Sequence, residues 1–131
     1  MINYDIPNSI SQFQPKVKLF DFSDFDFKPH AYAKGVQARL DLGNGLEVSV
    51  VANNDEGEGL YGRVSERLYE VAIYDQNDHQ IPLSAYSSVL GWQSPDQISY
   101  LMAKAQNEGS VWVDELEDAK AEYLKELDLD N

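Results

Sequence analysis

The chain has 131 residues, 43% of them hydrophobic, and sets 23 Asp and Glu against 10 Lys and Arg, a formal net charge of −13. A domain of this size buries an adequate core without staples, and the absence of cysteine removes the disulfide scaffold, the thiolate nucleophile and the Cys-based zinc site together. The surplus negative charge disfavours direct binding to nucleic acid or to an anionic membrane and favours a basic protein partner.

In chain order, MINYDIPNSISQFQPK shows no basic region followed by an apolar one, and no later stretch approaches a membrane span, so a cytoplasmic protein is expected. Residues 1–30 read as an N-terminal arm or edge strand. Within it, LFDFSDFDF alternates Phe20, Phe22, Phe25 and Phe27 with Asp21, Asp24 and Asp26. That alternation fits a core-facing strand, with KVKLFDF as its start, and it also fits a linear acidic motif entering a basic-rimmed pocket.

The pattern VQARLDLGNGLEVSVV predicts a β-hairpin, 36–42 paired with 45–51, because Gly43-Asn44-Gly45 tolerates positive φ between two alternating runs. NNDEGEG carries Asp55, Glu56 and Glu58 but lacks the order of a calcium loop, and reads as a mobile hairpin loop. RLYEVAIYD predicts a third strand and QIPLS a short edge strand, the latter because Pro82 cannot donate to a ladder. SPDQISYLMAKAQNEG then predicts a helix over 95–106, with Ser94 and Gln97 as capping box, Pro95 in the first turn and Ile98, Leu101, Met102 and Ala105 on one face.

Charge is concentrated at the end. Residues 114–131 hold eight acids against two bases, compared with nine against five in 1–60 and six against three in 61–113. In a helix, Asp114, Asp118, Glu122 and Glu126 form a stripe four apart, while Leu116, Ala119, Tyr123 and Leu127 line another face that would dock. Like charges at that spacing cost about 0.2–0.5 kcal/mol per pair, and acids at the helix C-terminus oppose its dipole. Local stability therefore does not account for the arrangement. Eight acids over eighteen residues come to one per ~3.4 Å of helix axis, close to the ~3.4 Å per phosphate of one DNA strand.

Catalytic motifs are absent. His30 and His79 have no metal-ligand spacing, and no nucleophile elbow, Walker loop or dinucleotide fingerprint occurs. A carboxylate pair such as Glu47 and Glu70 is conceivable for acid/base work, but two surface acids are the ordinary reading. The expectation is a single α+β domain, 1–131: an antiparallel sheet of four to five strands, one amphipathic helix packed on it, and an acidic C-terminal helix or tail over 114–131. No catalytic residue, cofactor or metal is expected.

The runs GLEVSVVANNDEGEGLYG, LYEVAIYDQNDHQIPL and VLGWQSPDQISYLMAKAQ, spanning 45–106, together resemble a class of small acidic bacteriophage-encoded proteins of unknown function. The resemblance implies a setting in the host bacterial cytoplasm, with host takeover or anti-defence action by stoichiometric binding. Joined to the charge pattern, it leads to an expected inhibitor of the anti-restriction or anti-CRISPR kind, a DNA mimic. Its partner-binding residues would be Asp114, Asp118, Glu122 and Glu126, with Asp21, Asp24 and Asp26, set against the basic surface of a nucleic-acid-binding host enzyme. Two alternatives stay open: a structural or accessory phage protein whose acidity serves solubility, and a small-molecule or nucleotide-sequestering protein with an apolar pocket lined by Tyr61, Tyr69, Trp92 or Trp112.

Overall fold

A computed structural model describes residues 18–130. Five antiparallel strands form one sheet in chain order: β1 (Lys28–Pro29), β2 (Gly35–Asp41), β3 (Glu47–Asn53), β4 (Tyr69–Tyr74) and β5 (Leu90–Gln93). A single helical span, α1 (Pro95–Asp130), follows and is broken at Gly109. The fold is α+β, as the alternation of short strands and one amphipathic helix predicts. The hairpin lies at the sheet's centre with its pairing shifted outward, Asp41 opposite Glu47, because Leu42 donates to the Leu46 carbonyl and closes a five-residue turn in which Gly43 and Gly45 take positive φ.

One face of the sheet makes the core. Ala38, Val48, Val50, Ala52, Val71 and Ile73 point to the side covered by Ile98, Met102 and Ala105 of α1, all of them buried. The helix begins as its cap predicts: Ser94 Oγ accepts from the Gln97 amide and Gln97 Oε1 from the Ser94 amide.

Three local expectations give way to competing chemistry. LFDFSDFDF is a 3-10 turn, Phe22–Asp24, in place of a strand. The Asp21 carboxylate accepts from the Ser23 amide and Asp24 from the Asp21 amide, so side chains satisfy the backbone locally and no ladder forms. Two further amides turn to α1, Phe20 donating to Gln106 Oε1 and Phe22 to Ser99 Oγ. Phe22 and Phe27 then pack on Tyr69, at 4.9 and 5.5 Å between centroids, which keeps the aromatic rings on the core side. QIPLS supplies only an isolated bridge, Tyr74 with Gln80, before Pro82 ends the pairing; Ile81 and Leu83 are buried and β5 takes the edge. NNDEGEG, expected to be mobile, is tied down: Asn53 bonds Leu60 and Gly62, Arg63 bonds the Asn54 and Gly57 carbonyls, and a Cβ on Gly57 would collide with the Lys34 carbonyl.

Past the predicted end of the amphipathic helix the chain stays helical after one abrupt change of direction. Gly109 adopts φ 49°, ψ −124°, a conformation open to glycine and strained for an L side chain. The nearest atom to a Cβ there is Asn44 Nδ2 at 3.8 Å, so the constraint is conformational and not one of space. Gly109→Ala is therefore expected to destabilise the fold by about 1–2 kcal/mol while raising helical circular dichroism, since alanine favours a straight continuation. Unchanged stability in urea titration would show that the kink is not part of the native fold.

Candidate functional site: an acidic surface at the sheet end

The half of α1 after Gly109 docks by its first turns. Trp112 is buried against the core, and Val113 and Leu116 lean on it. Tyr123 is half-buried with its ring 5.8 Å from that of Tyr86. Ala119 and Leu127, expected on the same docking face, are exposed. About 30 Å of helix follow Gly109, and only the proximal part has core beneath it.

Asp114, Asp118, Glu122 and Glu126 are all exposed. Each four-residue step advances ~6 Å, close to two phosphates of one DNA strand at ~3.4 Å apiece. Among the described residues the ion pairs along α1 end with Lys104 and Glu108, at 3.3 Å, before the kink. Lys120 and Lys125 are exposed and pair with no described carboxylate, so the stripe keeps its full charge.

The stripe does not stand alone. Asp114 lines a crevice of about 200 Å³ with Asn44, Asp75 and Ser110. Asp75 belongs also to a larger cleft of about 440 Å³ at the end of the sheet, where the β2–β3 turn and the loop after β4 bring Asp41, Glu47, Asp75 and Asp78 together. Acids from two further sequence segments thus continue the helical stripe across the sheet end. Sequence reasoning missed this patch; its signal was the pair of Asp-rich turns, DLGNG and DQND, which topology places side by side.

Hydrogen bonds set the charge of this patch. Asp75 accepts from the His79 and Asn77 amides, and the first of these bonds does most to hold its carboxyl below the usual carboxylate range, against a smaller opposing effect of desolvation. Arg39 is the local cation: its Nη2 lies 2.7 Å from Glu47 and 3.3 Å from Asp78, and its guanidinium sits 4.4 Å from the Tyr74 ring centroid. Glu47 and Asp78 are thereby partly neutralised, while Asp41 pairs with no Lys or Arg among the described residues and Asp75 has only the neighbouring His79 as a basic partner.

The other expected partner-binding acids are placed apart. Asp21 and Asp24 cap their own turn, Asp24 pairs with Lys18 at 3.2 Å, and Asp26 pairs with Lys28 at 3.0 Å. The bond that the Asp24 carboxylate accepts from the Asp21 amide, and then the one from Lys18, hold its carboxyl below the usual carboxylate range. This turn is anchored on Ser99 and Gln106, in the half of α1 before the kink, whereas the stripe lies after it.

His30 Nδ1 accepts from the Tyr32 and Ala33 amides at 3.1 and 3.0 Å, and His79 is exposed in its turn. Glu70 accepts from the Tyr61 amide and stands four residues along the sheet from the row of Glu47, roughly 13 Å at strand rise, beyond the spacing at which two carboxylates share a glycosidic bond. Tyr69 and Trp112 are buried in the core while Tyr61 and Trp92 are exposed, so the four line no common pocket. Trp92, at φ 55°, sits where β5 bulges against β4. Among the described residues no cluster of three or more His, Asp or Glu is arranged to hold a metal, and no helix is long and apolar enough to cross a membrane.

Comparison with protein-family models, with curated proteins and with solved structures returned no match.

Proposed function

We propose that this chain is a non-enzymatic binding protein of bacteriophage type, which acts in the host bacterial cytoplasm by setting its acidic surface against the nucleic-acid channel of a host processing or defence enzyme, such as a restriction or CRISPR component. The observation that carries the reading is the uncompensated stripe from Asp114 to Glu126 and its continuation through Asp75 and Asp41 at the sheet end. A row of carboxylates that no lysine neutralises costs stability within the helix, and a basic channel would offset that cost on binding.

A basic nucleic-acid site offers the cations that each phosphate contact requires. Carboxylates on a helix can present charge at comparable spacing without the counterion atmosphere of a duplex, and such an occupant competes with DNA without being cleaved. The test is capture from host lysate at low salt followed by elution with DNA. Protein released by DNA, and not captured by a variant with Asp114→Asn, Asp118→Asn, Glu122→Gln and Glu126→Gln, supports the proposal. Capture that DNA does not reverse and the variant retains would place the working surface elsewhere, and a chain that captures nothing would carry its acidity for solubility.

A further inference from the structure

The sheet face opposite α1 carries a concavity that the acidic surface does not use. Register sets Arg39, Ser49 and Ala72 in one row across β2, β3 and β4, and Gln37, Val51 and Glu70 in the next. Small side chains at Ser49, Ala72 and Val51 make a flat floor, and the larger Tyr74, Arg39 and Tyr32 rise around it to enclose about 450 Å³. That volume lies within the range of small-molecule sites.

We propose that this groove binds a neutral, flat, hydrogen-bonding small molecule of the nucleoside class. Charge decides against a phosphorylated ligand. Arg39, the only basic side chain at the groove apart from His30, is engaged by Glu47 and Asp78, while Glu70 faces in with one oxygen taken by the Tyr61 amide. An anion would meet a carboxylate and no free cation. Polar groups for a neutral heterocycle are present: neither the Ser49 hydroxyl nor the Gln37 side-chain NH₂ has a partner among the described residues.

The lip supplies a second observation. Tyr32 is 96% exposed, yet its backbone is fixed, since its amide and that of Ala33 both donate to His30 Nδ1. A phenol ring held at the mouth of a groove, with only an edge contact to the His30 ring at 6.5 Å between centroids, offers its face as a stacking surface for a flat ligand. This inference is independent of the acidic-surface reading, because none of these residues belongs to the helical stripe.

The test is a titration of the full chain with adenosine, guanosine, cytidine and uridine, followed by saturation-transfer NMR, with the corresponding 5′-monophosphates and glucose in parallel. At least one nucleoside should bind with a Kd under about 1 mM, and its monophosphate should bind roughly tenfold more weakly. Tyr32→Ala, which removes a ring that packs on no core residue, should weaken binding by about fivefold or more. Ala72→Leu, which raises the floor, should abolish it. The proposal is overturned if no nucleoside saturates the chain at millimolar concentration, if monophosphate or glucose binds equally well, or if Tyr32→Ala leaves the affinity unchanged.

Discussion

Trp112→Ala is expected to lower the free energy of unfolding by about 3–5 kcal/mol, the range for removing a buried aromatic side chain. Trp112 is 5% exposed and belongs to the same cluster as Ile98, Met102 and Ala105, although it lies after the kink. It is the one fully buried side chain among the described residues after Gly109; Val113, Leu116 and Tyr123 are only half-buried. Its loss therefore does two things: it opens a cavity under the first half of α1 and frees the second half from the domain. Partner binding should fall along with stability, because the carboxylates beyond the kink lose their placement relative to Asp75. Val111→Ala, one position earlier and 65% exposed, is the control and should cost under about 0.5 kcal/mol. Urea titrations of both variants check this, and equal midpoints would mean that Trp112 does not anchor the helix.

The second large effect is expected at Asn53, the one buried polar residue of the described core, 2% exposed. Its Nδ2 donates to the Leu60 and Gly62 carbonyls, each at 2.8 Å, and its Oδ1 accepts from the Leu60 amide at 3.3 Å. Asn53→Leu keeps the bulk and removes all three side-chain bonds; the Gly62 carbonyl keeps its bond from the Asn53 backbone amide, while the half-buried Leu60 amide and carbonyl lose these partners, at a cost of about 1–3 kcal/mol. The damage should be local first. Amides of the segment from Asn54 to Gly62 should lose protection in hydrogen exchange before those of β3 and β4 do. Asn53→Asp should not rescue, since it preserves the acceptor, removes the donors and buries a charge. Unchanged exchange in the loop of Asn53→Leu would contradict this role.

Asn53 also shows why part of this molecule was legible in the sequence and part was not. Elements specified by their own residues were read correctly: the hairpin by Gly43-Asn44-Gly45, the helix start by Ser94, Pro95 and Gln97, and its buried face by Ile98, Met102 and Ala105. Elements decided by specific side-chain bonds that composition does not announce were not. NNDEGEG reads as loose because its composition is polar, and nothing local announces that Asn53 and Arg63 hold it closed. The Phe-Asp alternation reads as a strand, but Asp21 and Asp24 cap it into a turn, and Gln106 and Ser99, far along the chain, accept its Phe20 and Phe22 amides. For the site, the helical stripe follows from the four-residue period alone. The sheet-end acids that extend it become neighbours only through the pairing of β2, β3 and β4.

The proposal rests on a helical stripe of charge that is exposed and pairs with no described lysine or arginine, and charge responds to salt in a way that shape does not. Affinity of the wild-type chain and of the variant with Asp114→Asn, Asp118→Asn, Glu122→Gln and Glu126→Gln should therefore be measured for the captured partner at two salt concentrations. Screening over a Debye length of about 8–10 Å near physiological ionic strength acts fully on such a surface. Wild-type binding should weaken by roughly tenfold or more between low and physiological salt. The variant should stay folded, bind more weakly at low salt, and lose less on raising it. If neither the substitutions nor the salt changes the affinity, the acidic surface is not what the partner recognises.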